Sequence, residues 1–179
     1  MVYLFLANGF EEIEALTPLD VLRRAGVQVT TVGVGGDSIL GAHGIRVQAD
    51  IPDTMYRDSS PDMIILPGGM PGSANLDNSR TVDAALRAAA RNDAYLCAIC
   101  AAPMVLGKRG YLSGKRAVCY PGFEQYLDGA AVTDARVERD GKVITAKGMG
   151  AALEFGLVLV EVLCGKEKAD QIASSVFAQ

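Results

Sequence analysis

The chain carries one histidine, His43, and no tryptophan among its 179 residues. A zinc centre built on several histidines is therefore excluded, and a Cys–His or Ser–His catalytic pair would have to recruit His43 itself. An excess of positive charge is also missing. Lys plus Arg number 17 against 21 acids, a net charge of −4, so no positive field draws phosphates and no specific nucleic-acid partner is expected. No apolar run approaches the roughly 18 residues of a membrane span, so no membrane association is expected. Residues 2–7 are too short for a secretory leader, lack a basic flank and run straight into acids. With only seven prolines and 50% hydrophobic residues, disorder is excluded, because such a chain buries enough apolar surface to offset its ordering entropy. These absences predict one folded domain over residues 1–179, cytoplasmic and with reduced thiols.

What is present is an alternation of short apolar runs with helical periodicity. Runs at 2–7, 27–34, 63–66, 95–99 and 116–119 predict strands, several of them continuous enough to be covered on both faces. Periodicity predicts helices at 11–24, 81–91, 151–164 and 167–177, with another opening at Pro103, whose missing donor is harmless in a first turn. Pro18 predicts a kink or break in the first helix. Residues 39–47 and 135–145 suggest hairpins, the second turning at Asp140-Gly141. This order predicts an α/β architecture with a parallel sheet and helices on both faces. Right-handed crossovers then bring every strand-to-helix turn to one sheet edge, where ligands bind.

Three strand ends compete for chemistry on that edge: Asn8 to Glu14, Leu66 to Gly72, and Ala98 to Pro103. In the third, a strand ends on Cys100 among small residues before a helix, the pattern of a nucleophile elbow. A helix N-terminus there would favour the thiolate; the plain alternative is a small buried hydrophobe. Cys97 completes a C-x-x-C spacing but falls inside the predicted strand, a poor place for a redox dithiol. Cys119 either reaches the same edge or packs as a strand residue, and Cys164 is assigned no role. Glu11 and Glu12 read as a helix cap and a solvated face. Glu14 lies between Ile13 and Leu16, where a partly apolar pocket would keep it protonated. A neutral acid could then donate a hydrogen bond to a thiolate, which pairs Glu14 with Cys100. The Gly68-Gly69 loop either aims N–H groups at an oxyanion or simply supplies turn torsions. It lacks the phosphate-loop pattern that a nucleotide triphosphate would need.

Gly9-Phe10-Glu11-Glu12-Ile13-Glu14, followed by Pro18 to Gly26, resembles the N-terminal signature of the ThiJ/PfpI superfamily. Leu66-Pro67-Gly68-Gly69, Ala98 to Pro103 and Lys147-Gly148-Met149-Gly150 are similar to its further blocks, in the same order. The nearest branch is that of the human Parkinson disease protein deglycase and its bacterial relatives. The resemblance implies a flavodoxin-like three-layer α/β/α sandwich with a mostly parallel sheet, assembled as a homodimer. It places the reactive cysteine on Cys100, its protonated partner on Glu14, and oxyanion-binding N–H groups on Gly69 and Ala101. It implies a stress-protective role: a glutathione-independent glyoxalase or protein deglycase acting on a small dicarbonyl or glycated substrate, with no cofactor and no metal. The alternative is a non-enzymatic oxidant sensor, or redox-regulated chaperone, that works through a cysteine sulfinate. Where the human branch has a histidine this chain has Tyr120, a pocket residue that cannot serve as a base near neutral pH. Ala101 stands where the protease branch has its histidine, which argues against peptidase activity. The helix carrying Asp20 and Arg24 is the expected dimer surface.

Overall fold

The computed structural model describes residues 1–57 and 60–178. The chain begins with β1 (Val2–Leu6), α1 (Glu12–Arg24) and β2 (Val29–Gly33), then the short strands β3 (Ser38–Leu40), β4 (Arg46–Gln48) and β5 (Ile51–Pro52). It continues through β6 (Met63–Leu66), α2 (Gly72–Asp77), α3 (Arg80–Arg91), β7 (Tyr95–Ile99) and α4 (Pro103–Gly107). The last part holds β8 (Arg116–Ala117), β9 (Ala131–Val132), β10 (Val137–Asp140), β11 (Val143–Ala146), α5 (Ala152–Cys164) and α6 (Lys166–Ser175).

Alternation along the strands decides the layers. In β1, Leu4 and Leu6 face one core while Phe5 faces the other. Met63 and Ile65 of β6 oppose Ile64 and Leu66 in the same way. With both faces buried, these runs read as continuously apolar, which is the mark of a covered parallel sheet. Seven strands form it in the order β10-β11-β7-β6-β1-β2-β5, parallel throughout except for the edge strand β10. Helices α1, α5 and α6 cover one face; α2, α3 and α4 cover the other. The result is a flavodoxin-like α/β/α sandwich. Strands β3 and β4 make a separate hairpin, as expected.

Helix α1 runs unbroken through Pro18. The ring removes the N–H that would have bonded the Glu14 carbonyl, yet the helix tolerates the loss because this stretch is fastened by tertiary packing. Gly156 of α5 makes that packing close: a Cβ there would lie 3.1 Å from Pro18 Cα. The predicted strand at 116–119 stops at Ala117. Its next N–H, from Val118, instead donates to the buried Thr145 hydroxyl at 2.9 Å.

Phe155 is fully buried in the core between the sheet and α1. Phe155→Ala is expected to lower the unfolding free energy by about 3–5 kcal/mol, combining lost transfer energy with a residual cavity. Urea titration at fixed pH measures this.

Candidate active site

Cys100 directly follows β7 at the carboxyl edge of the sheet, with φ at +65°. A non-glycine residue in the left-handed region is strained by roughly 1–3 kcal/mol and persists only where its surroundings fix it. Two backbone hydrogen bonds do so here. The Cys100 N–H donates to the Ala146 carbonyl at 2.9 Å, and the Cys100 carbonyl accepts from the Tyr120 N–H at 2.8 Å. The side chain is thereby turned out at an elbow. The expected helix N-terminus beneath the sulfur is not what the fold supplies. Helix α4 starts three positions later, at Pro103, and spans only five residues, too few turns for a useful macrodipole. Individual amides take its place: the Gly69 and Ala101 N–H groups both donate to the Cys100 sulfur.

Glu14 reaches the sulfur from α1 and is 1% exposed. Its carboxyl shares a hydrogen bond with the Cys100 thiol and accepts the Gly68 N–H at 3.0 Å. Two loop glycines make room for the meeting. A Cβ on Gly68 would fall 2.3 Å from Glu14 Oε2 and 2.6 Å from Cys100 Cβ. Gly69 has φ at +87°, and a Cβ there would lie 2.4 Å from the Glu11 backbone nitrogen. The turn therefore needs glycine torsions, and the same turn delivers an N–H to the sulfur.

Burial sets the electrostatics. It pushes the Glu14 carboxyl up to about 7 against the opposing hydrogen bonds. It also pushes the Cys100 thiol up to about 12, helped by the negative charge of Glu14. Cys100 is thus not an acidic thiol in its own right, contrary to the expectation from a helix N-terminus. The two groups titrate as a pair. The pair gives up one proton near 7 and the other near 12, and between those values a single proton lies between oxygen and sulfur. A thiolate exists in that window whenever the proton sits on Glu14.

Tyr120 is half exposed and packs its ring edge near Gly148, where an added Cβ would lie 3.4 Å from Tyr120 Cδ2 and 3.9 Å from Glu14 Oε1. With Pro121, Arg136 and residues 147–151 it lines a cavity of about 410 Å³ beside the pair. Cys97 and Cys119 do not join the site. Cys97 is fully buried in one core and Cys119 lies in the core of the opposite layer, and burial raises both thiols. Cys164 is exposed at the end of α5.

Glu11 caps α1, accepting the Glu14 N–H at 2.9 Å. Glu12 departs from the solvated-face reading, being 3% exposed. Its carboxylate accepts the His43 and Ile45 N–H groups at 2.7 and 3.4 Å and bonds the His43 ring at 2.9 Å. His43 therefore serves the hairpin clasp. Glu11, Glu12 and His43 bring ligand atoms within 4.8 Å of one another, the one such group among the described residues. Its oxygens are already engaged as cap and clasp.

Because burial raises Glu14 from 4.5 to about 7, the folded state binds an extra proton between those values, and stability present below pH 4.5 is lost as pH rises through 7. Glu14→Gln is expected to match the parent near pH 4.5 and to exceed it by about 3 kcal/mol at pH 8. Urea unfolding of both proteins across pH 4–8 checks the divergence.

The fold has counterparts among known proteins. Residues 1–162 match the model of the DJ-1/PfpI family. Protein dj-1beta of Drosophila melanogaster is 38% identical over 174 residues, covering 96% of this chain and 93% of that protein. "Glutathione-independent glyoxalase DJR-1.2" of Caenorhabditis elegans is 33% identical over 163 residues, covering 90% and 87%. Protein DJ-1 homolog B of Arabidopsis thaliana is 40% identical over 171 residues. This chain spans only 39% of the length of that relative and 44% of homolog A from the same plant. Among solved structures, Drosophila melanogaster DJ-1beta superposes with a TM-score of 0.95 at 35% identity, covering 99% of this chain and 97% of that one. Oxidized Toxoplasma gondii DJ-1 gives 0.94 at 35% identity, with 98% and 97% covered. On the family match and these identities together, the chain belongs to the DJ-1/PfpI family.

Proposed function

We propose that this protein is a cysteine-dependent enzyme that converts reactive dicarbonyls, free or attached to protein, to hydroxy acids without glutathione. The observation that carries this reading is the Glu14–Cys100 pair: a buried carboxyl facing a thiol on a strained elbow, with two N–H groups aimed at the sulfur. The C. elegans relative named as a glutathione-independent glyoxalase supports the substrate class.

In the proposed reaction the Cys100 thiolate adds to the aldehyde carbon of methylglyoxal. The carbonyl π pair moves to oxygen, which takes the proton from Glu14 to give a hemithioacetal. The Gly69 and Ala101 amides lie beside the sulfur and stabilise the oxyanion as it forms. Glu14, now a carboxylate, removes the proton from the former aldehyde carbon and returns it to the neighbouring carbon, while the hydroxyl proton on the first carbon's oxygen passes to the second carbon's oxygen. The first carbon is oxidised to a thioester as the second is reduced to a secondary alcohol, so no external electron carrier is consumed. Water then cleaves the thioester, releasing lactate and restoring the thiolate. Tyr120 supplies no base, so Glu14 carries every proton transfer.

A second reading rests on the same two amides. Positioned at the sulfur, they would equally hold the oxygens of a Cys100 sulfinate, making the protein an oxidant sensor or redox-regulated chaperone. We also propose a homodimer. Ile13 of α1 and Leu40 and Ile45 of the β3–β4 hairpin are exposed apolar side chains at one end of α1. Asp20 and Arg24 already pair within the helix, at 2.6 Å.

Purified protein is expected to form lactate from methylglyoxal without glutathione. Cys100→Ala should abolish turnover, and Glu14→Gln should lower kcat by about 10²–10⁴-fold. Absence of lactate from the wild type, together with selective addition of two oxygens to Cys100 by dilute peroxide in intact-mass spectra, would establish the sensor instead. Light scattering is expected to give twice the 18.8 kDa chain mass, reverting to one chain in an Ile13→Glu, Ile45→Glu variant.

A further inference from the structure

We propose that the buried hydroxyl of Thr145 in β11 fixes the left-handed turn at Cys100, by way of residues 118–120, and so holds the sulfur against Glu14. This makes Thr145 a positioning residue, and the proposal rests on the reading of Cys100 as the reactive group given above. Thr145 is fully buried and is the one polar side chain of β11, among Val143, Ile144 and Ala146. A polar group in such a place needs a hydrogen-bond partner, and the Val118 N–H supplies it at 2.9 Å. The β8–β9 ladder ends where the Thr133 N–H donates to the Ala117 carbonyl at 2.9 Å. The N–H of Val118, itself a buried residue, lies beyond that ladder. Without the Thr145 oxygen it would be left unpaired, a state the chain escapes only by moving.

That movement would reach the elbow. Two residues on, the Tyr120 N–H donates to the Cys100 carbonyl at 2.8 Å, while the Cys100 N–H donates to the Ala146 carbonyl at 2.9 Å. Adjacent residues of β11 therefore hold both sides of the turn. Ala146 does so directly through its backbone, and Thr145 does so through Val118 and the two peptide units that follow. Register makes this possible. In the parallel ladder with β7, Thr145 stands beside Ala98 and Ala146 beside Ile99, so the hydroxyl sits just short of the turn. Cys100, with φ at +65°, relaxes toward the extended backbone of β7 once its carbonyl is released. The site has little tolerance for that change. A Cβ at Gly68 would lie 2.3 Å from Glu14 Oε2 and 2.6 Å from Cys100 Cβ, so carboxyl and elbow meet across a single glycine.

The test is Thr145→Val, which keeps a β-branched side chain suited to a strand and deletes the oxygen, with Thr145→Ser as the conservative control. Neither readout requires turnover, so both stand apart from whether lactate is formed. Amide hydrogen exchange followed by NMR is expected to show Val118 and Tyr120 opening together in the wild type, with one shared dependence on urea, because one hydroxyl secures both. In Thr145→Val the Tyr120 amide should lose about tenfold of its protection relative to the amides of β1, the scale of one hydrogen bond. The second readout is the pH profile of Cys100 alkylation by iodoacetamide. Its midpoint should move up from about 7 toward the free-thiol value of about 8.5 in Thr145→Val. The titratable groups that face the sulfur, Glu14 and behind it Glu11, are unaltered in these variants. Thr145→Ser should keep both the wild-type protection and the wild-type midpoint. A valine variant that loses stability in urea while either readout stays unchanged would make Thr145 a core residue only, and would overturn the proposal. A serine variant that restores neither readout would overturn it as well. Should Thr145→Val fail to fold, the wild-type exchange decides alone: Val118 and Tyr120 amides that open with different urea dependences overturn the proposal.

Discussion

The left-handed backbone of Cys100 is the constraint around which the site is arranged. If position 100 continued the extended geometry of β7, its side chain would enter one of the two cores, as Ile99 and Ala98 do. The turn instead lifts the sulfur off the sheet edge and brings the Ala101 N–H to it. Strain of this kind survives only when both flanking peptide groups are held. Here the holders come from distant chain segments, Ala146 at the end of β11 and Tyr120 after β8. The elbow is thus a product of the complete sheet, and β11 contributes to the chemistry without offering a side chain to it.

Desolvation gives the pair its character. In water a carboxyl and a thiol titrate independently and far apart, and near neutral pH the carboxyl is ionised while the thiol is not. Burial penalises charge on either group, so the loss of the first proton is delayed to about 7 and loss of the second to about 12. Between these limits the pair carries one negative charge and one movable proton. The same state suits either proposed role, because attack on a carbonyl and reaction with peroxide both begin from the thiolate. What separates the roles is the proton's next move, and with Tyr120 in place of a base that move belongs to Glu14.

Much of this was legible in the sequence. β6 and β7 fall on their predicted residues because continuous apolar runs bounded by glycine and proline allow little else. Glu14 could be singled out because an acid on the buried stripe of an amphipathic helix conflicts with its surroundings. Other features had no one-dimensional signature. Helix α2 spans six residues with no apolar period and forms in the glycine-rich turn that packs against Gly9. Glu12 looked solvated because the hairpin that covers it arrives from thirty residues downstream. The assumption of a helix dipole under Cys100 failed for a related reason: Pro103 marks a helix start correctly, but not its length or its offset from the sulfur.

Cavity size does not single out the edge that holds Glu14 and Cys100. A cavity of about 760 Å³ lies at the opposite sheet edge, among Met1, Val27, Asp62, Tyr95, Lys142 and Cys164. It is larger than the 410 Å³ cavity beside Tyr120. Its ionic groups are paired: Lys142 stacks 4.2 Å from the Tyr95 ring centre and lies 3.7 Å from Asp93, and the terminal ammonium bonds Asp62. Cys164 there has neither a left-handed backbone nor a carboxyl partner. Parallel strands make the difference between the edges. At the carboxyl ends, loops leave strands that are already fixed in register, so Gly68 and Cys100 can be brought together at one buried acid. At the amino ends the helices return at their own lengths, and nothing in the sheet forces two reactive groups together.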